Sequence, residues 1–84
     1  MRSEPVLLRV LQGASDSTIR FADLRGLLLR LGFSERMKGS HHIFTRDGVW
    51  EILNLQPRKS FAKAYQVKQV RQVIVRYKLA EGAE

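Results

Sequence analysis

Apolar residues recur at helical spacing near the front of the chain. Val6, Leu7, Val10 and Leu11 fall on one side of a predicted helix that opens at Ser3-Glu4-Pro5 and closes at Gln12-Gly13. Serine can cap such a start, proline fits the first turn because its missing N–H has no intrahelical partner there, and glycine supplies the stop. Ala14 to Thr18 is a polar connector in which Ser15, Asp16 and Ser17 can bond nearby backbone. A second helix begins at Phe21 or Ala22 and buries Leu24, Leu27, Leu28 and Leu31. Asp23 sits in its first turn, where the helix dipole favours a negative charge. Gly32 ends it, and Arg25 and Arg30 fall outside the apolar stripe.

The period then shortens to two. Phe33, Glu35 and Met37 point one way, and Ser34, Arg36 and Lys38 the other, as in a strand. Gly39-Ser40 reverses the chain. His41 to Arg46 reads as a second strand, and Asp47-Gly48 as a hairpin turn into a third that starts at Val49 and ends at Leu53 or Leu55. A two-residue turn at Asp47-Gly48 would set Arg46 against Val49, Ile43 against Ile52, His42 against Leu53 and His41 against Asn54. On that register Ile43, Trp50 and Ile52 form the core face, with His41 at its rim. His42, Phe44, Glu51 and Leu53 share the other face, which leaves His42 accessible. Gln56 to Lys63 is a basic loop, broken from the strand by Pro57. A last helix runs from about Tyr65 to Leu79 and buries Val67, Val70, Val73, Ile74 and Tyr77. Lys68, Gln72 and Arg76 lie on its opposite side, and Glu81 to Glu84 fray.

The order helix, helix, three strands, helix predicts a single α+β domain over residues 1–84. Its architecture is a two-layer sandwich, with a three-stranded antiparallel sheet packed on the helices. An antiparallel sheet of this kind can leave its second face to solvent or ligand.

Charge changes the picture more than composition does. The 84 residues hold 15 Lys and Arg against 8 Asp and Glu, a net charge of +7, which favours polyanionic partners. No apolar run approaches membrane-spanning length, no basic amphipathic helix with bulky aromatics stands out, and the front lacks the layout of a signal peptide. These features predict a soluble, cytoplasmic protein that does not bind membranes. The absence of cysteine excludes disulfides and thiolate zinc sites. Two adjacent histidines with few carboxylates nearby make a poor metal cage, so neither metal nor cofactor is expected.

The candidate chemistry lies in Lys38-Gly39-Ser40-His41-His42-Ile43-Phe44. An imidazole titrates near neutral pH and can act as a general base on an RNA 2′-hydroxyl, while neighbouring cations hold the phosphate. His41 is the first candidate and His42 the reserve. Adjacent strand residues point to opposite faces, so the two are ill-placed to act as an acid–base pair. Gly39 allows the turn and a close approach of phosphate to backbone, and Ser40 can donate to that phosphate. Arg36, Lys38, Arg46, Arg58 and Lys59 are expected to complete a phosphate-binding rim. Trp50 and Phe44 are candidates for stacking on bases, with core packing the stronger expectation for Trp50.

The stretches Leu28-Leu29-Arg30-Leu31-Gly32-Phe33 and Lys38-Gly39-Ser40-His41-His42-Ile43-Phe44 resemble the HicA toxins of prokaryotic toxin–antitoxin pairs, in which a helix ends in Leu-Gly-Phe and Gly-Ser-His opens a strand. The likeness spans roughly Phe21 to Tyr77. It implies a fold like that of the double-stranded-RNA-binding domain, here with an additional N-terminal helix. It also implies a metal-independent mRNA endonuclease using the histidine of the Gly-Ser-His slot, His41, and silencing by a HicB-like antitoxin protein. The chain departs from the family pattern after Pro57, where the usual second histidine is missing, and at Ala64-Tyr65-Gln66-Val67, where Gly-Thr-Leu is common. Two other classes fit the charge: a non-catalytic module that binds double-stranded RNA by shape, and a basic adaptor for an acidic protein.

Overall fold

A computed structural model describes residues 4–82, so the expected serine cap at Ser3 lies outside the described residues. The elements are helix α1 (Pro5–Gln12), helix α2 (Phe21–Arg30), strands β1 (Ser34–Lys38), β2 (His41–Thr45) and β3 (Leu53–Leu55), and helix α3 (Ala64–Arg76). Single 3₁₀ turns at Asp16–Thr18 and Leu79–Gly82 complete the chain. The fold is the α+β class expected, with an antiparallel sheet ordered β1-β2-β3.

Local chemistry explains the helix ends. Pro5 opens α1, and Gly13 closes it in the left-handed region at φ 73°. After α2, the Gly32 N–H donates to the Leu29 carbonyl at 3.1 Å and the Phe33 N–H to the Leu28 carbonyl at 3.0 Å. These two bonds are a Schellman stop, with Gly32 in the left-handed slot at φ 94° and both Leu28 and Phe33 buried. The Leu-Gly-Phe sequence is therefore a mechanical device that turns α2 sharply into β1. In α3, buried Gln66 accepts the Lys63 N–H on its side-chain oxygen at 3.2 Å, closing the first turn.

One apolar cluster holds the layers together. Phe44, Leu53 and Leu55 of the sheet meet Leu24, Leu27 and Leu28 of α2 and the Val67, Val70, Val73 and Ile74 stripe of α3, and Leu7 and Val10 of α1 join the same cluster. The Arg71 guanidinium pins α3 to the front of the chain. It donates to the Val10 carbonyl at 3.1 Å and to both Asp16 carboxylate oxygens at 2.9 and 3.1 Å.

The sheet corrects two sequence expectations. The first is register: His42 lies opposite Leu55, Ile43 opposite Asn54 and Phe44 opposite Leu53, two residues away from the tight-hairpin alignment. Asp47-Gly48 does turn the chain, with the Val49 N–H donating to the Arg46 carbonyl at 3.1 Å. Only Gly48 in that turn has a positive φ, 86°, which is the pattern of a type II turn and not of the type I′ turn that matches strand twist. The next residues are drawn off by α3. The Glu51 carboxylate accepts from the Tyr77 hydroxyl at 2.7 Å and from Arg76 at 3.3 Å, and the Trp50 N–H donates to the Tyr77 hydroxyl oxygen at 3.3 Å. The third strand thus shrinks to Leu53–Leu55.

The second correction is the core face. Phe44, Leu53 and Leu55 are fully buried, whereas Trp50 is 92% exposed and Ile52 61% exposed. A slip of two residues keeps the same side chains on the same face. The partition between faces therefore stands as expected, but the helices cover the opposite face. Ile43 is shielded on the outer face, in a cross-strand row with Arg36 and Asn54.

Two further elements differ. The last helix ends at Arg76, with Lys78 left-handed at φ 57°, and Glu81 and Gly82 belong to a short 3₁₀ turn; Ala83 and Glu84 lie outside the described residues. The basic Gln56–Lys63 segment is not an open loop. Arg58 and Phe61 exchange backbone bonds of 2.8 and 3.0 Å around a tight turn. The turn is then stitched to the start of α2 by Phe21 N–H to the Ser60 carbonyl and Ala62 N–H to the Ile19 carbonyl, both 2.9 Å. No described helix is long and apolar enough to cross a membrane.

Candidate nucleic-acid interface

The Gly39-Ser40 turn sets the site. Gly39 has φ 60° while Ser40 stays in the ordinary region, the signature of a type II′ turn, in which the first central position belongs to glycine. Lys38 and His41 consequently face each other directly across β1 and β2, and Arg36 follows on the same face two residues along. His41 is exposed on this outer face. Its Nδ1 lies 2.8 Å from the Asn54 side-chain oxygen, reached diagonally from β3. An amide oxygen only accepts, so in the neutral ring this contact fits the tautomer with its hydrogen on Nδ1. In that tautomer Nε2 carries the ring's lone pair. The Ser40 hydroxyl oxygen accepts from the Gln56 amide at 2.7 Å, which ties the turn to the end of β3. Arg36 and Lys38 form no ion pair among the described residues.

His42 occupies the opposite, helix-covered face and is half-buried, which corrects the expectation of accessibility. Its Nδ1 lies 2.6 Å from a Glu35 carboxylate oxygen, and its ring is tilted against Phe21 with centroids 4.6 Å apart. Glu35 also accepts from Arg25 at 2.8 and 2.9 Å. The Arg25 hydrogen bond holds the Glu35 carboxyl below its usual value of 4.5, with burial opposing and the His42 bond adding to the lowering. This Arg25–Glu35–His42 chain clamps α2 to the sheet edge.

The clamp has a pH signature. A carboxyl with a lowered folded pKa binds its proton first in the unfolded chain. Its stabilisation is complete above about pH 4.5 and is lost as pH falls through the lower folded value. The thermal midpoint is expected to drop on acidification through that window, and Glu35→Gln should flatten the drop. A remainder persists, because Glu4 and Glu51 are also held low by Arg30 and by Tyr77 respectively. Scanning calorimetry of both proteins between pH 6 and pH 3 checks this.

The expected basic rim is divided. Arg36 and Lys38 stand beside His41. Arg46 lies beyond the far end of β2, roughly 16 Å along an extended strand, with its Nε packed 3.5 Å from where a Gly32 β-carbon would stand. Arg58 and Lys59 sit on the turn fastened to Ile19 and Phe21. Phe44 is fully buried and unavailable for stacking, whereas Trp50 is open to solvent. Sequence reasoning set His41 against Asn54 but counted neither Asn54 nor Gln56 among the site residues; strand parity was the signal for Asn54, and none pointed to Gln56. Among the described residues no group of three or more histidine, aspartate or glutamate side chains is placed to hold a metal ion. Comparison with protein-family models, with curated proteins and with solved structures gave no match to this chain.

Proposed function

We propose that the chain is a HicA-type mRNA endonuclease that works without a metal, with His41 as general base, and that a HicB-like antitoxin silences it by covering the outer sheet face. The observation that carries this reading is the exposed His41 imidazole. Its Nδ1 lies against the Asn54 amide oxygen, its Nε2 has no hydrogen-bond partner among the described residues, and Lys38 stands directly across the strand pair. Nε2 takes the proton of a 2′-hydroxyl, the 2′-oxygen attacks the adjacent phosphorus, and the 5′-oxygen of the next nucleotide leaves with a proton from water. Arg36 and Lys38 offset the charge that gathers on the phosphate oxygens. The products are a 2′,3′-cyclic phosphate and a 5′-hydroxyl end.

The test is purified protein with a message-length RNA in excess EDTA. Cleavage with cyclic-phosphate ends is expected. RNA that is bound, released by salt and left intact would favour the binding-module alternative, which draws on the lack of a second imidazole on the outer face. Absence of any RNA affinity would leave the adaptor for an acidic protein.

A further inference from the structure

Tyr65 lies outside the buried face of α3. The buried side chains of α3 are Gln66, Val67, Val70, Val73 and Ile74, whereas Tyr65 in the first turn is 64% exposed. Its ring lines a surface hollow of about 530 Å³ together with Phe61, which is 39% exposed, and with Arg58, Lys59 and Lys63. Among the described residues no carboxylate lines this hollow. The nearest in sequence, Asp16, is held by Arg71 at 2.9 and 3.1 Å. The hollow shares no residue with the His41 face.

The hollow is also built to keep its shape. The Arg58–Phe61 turn is closed by two mutual backbone bonds and fixed to Ile19 and Phe21 by two more. Lys59 is left-handed at φ 57°, a conformation uncommon for a residue other than glycine. The Arg20 guanidinium sits 5.4 Å from the Phe61 ring centroid and steadies that ring. Two partly exposed aromatic side chains beside three cationic ones, on a backbone closed by hydrogen bonds, match the needs of an unstacked base and its phosphates. A duplex has its bases already stacked and cannot use the rings, so the chemistry selects a single strand.

We propose that the hollow formed by Arg58, Lys59, Phe61, Lys63 and Tyr65 binds one unpaired nucleotide of a single-stranded RNA, its base against the aromatic rings and its phosphates on the cations. The inference rests on the RNA reading above only for the polymer. It adds a contact, outside the His41 face, that fixes which part of a message engages the protein.

The test uses the full chain carrying His41→Ala, so that RNA stays intact, and a single-stranded RNA oligonucleotide with one 2-aminopurine. Binding should quench the 2-aminopurine through stacking. Tyr65→Ala should weaken single-strand affinity about five- to hundredfold and abolish the quench, while Tyr65→Phe keeps both. A Tyr65→Ala protein that binds and quenches like its parent overturns the proposal. So does adenosine monophosphate alone binding as tightly as the strand, since the site would then be one for a free nucleotide. Cleavage in EDTA reports separately on His41. A protein that loses strand affinity with Tyr65→Ala yet never cleaves RNA keeps the hollow and loses the nuclease, and one that cleaves with affinity indifferent to Tyr65 does the reverse.

Discussion

Replacing His41 by alanine should slow RNA cleavage by about a hundred- to ten-thousandfold, the usual worth of a positioned general base, while RNA affinity stays close to that of the unaltered protein. Affinity should hold because Arg36 and Lys38, the phosphate contacts we propose for that face, remain in place. The cost is large because no other imidazole reaches the outer face. His42 points to the helices, with Nδ1 at 2.6 Å from Glu35 and its ring against Phe21. His42→Ala should therefore lower stability and leave the chemical step nearly untouched. Asn54 supplies a finer check, since it holds the His41 Nδ1–H from 2.8 Å. Asn54→Asp places a carboxylate at that nitrogen and favours the imidazolium over the free base. The limb of the pH–rate profile that reports the base should then move to higher pH. Cleavage rates of the four proteins across pH 5 to 9 measure all of this, and equal rates with and without His41 would end its candidacy.

Much of this arrangement was legible in the chain because it depends on local chemistry. The leucine spacing of Leu24 to Leu31, the stop at Gly32 and the turn at Gly39-Ser40 each act over a few residues, and each formed as its residue types dictate. That His41 and Asn54 share a face was also legible, for a reason independent of the register chosen. Strand side chains alternate with period two, and the actual slip was two residues, so the parity of every pair survived. The features that escaped depend on contacts distant in sequence. Asp47-Gly48 can form more than one turn type, and what decided the outcome was Tyr77, which captures Glu51 and the Trp50 backbone from the end of α3. The basic rim was drawn from charge alone. Charge does not reveal that Ile19 and Phe21 would take the Arg58–Phe61 turn by backbone pairing and so remove Arg58 and Lys59 to a hollow of their own. The core face was misassigned because both faces carry apolar residues. Tryptophan, the most hydrophobic-looking marker, went to solvent on a loop that three hydrogen bonds hold by its neighbours and its backbone.

That inversion gives the second large effect. Phe44→Ala should destabilise the domain by about 3–5 kcal/mol, and Trp50→Ala should change stability by no more than about 0.5 kcal/mol. Phe44 is fully buried on the central strand, between Glu35 of β1 and Leu53 of β3, and belongs to the cluster joining sheet to helices. Truncating it removes the transfer energy of a phenyl ring and leaves a cavity that a packed interior refills only in part. A domain of this length has a total stability of roughly 4–13 kcal/mol, so the loss takes between about a quarter and the whole of it. Trp50 loses little because 92% of its surface is already in water, and the loop bonds to Tyr77 run through the Trp50 backbone and the Glu51 carboxylate, which the substitution leaves intact. Urea melts followed by far-ultraviolet circular dichroism, which needs no tryptophan, measure both variants on one scale. A Trp50→Ala midpoint displaced as far as that of Phe44→Ala would mean that the helices cover the Trp50 side of the sheet. His41 would then face the interior and Nε2 would be closed to RNA.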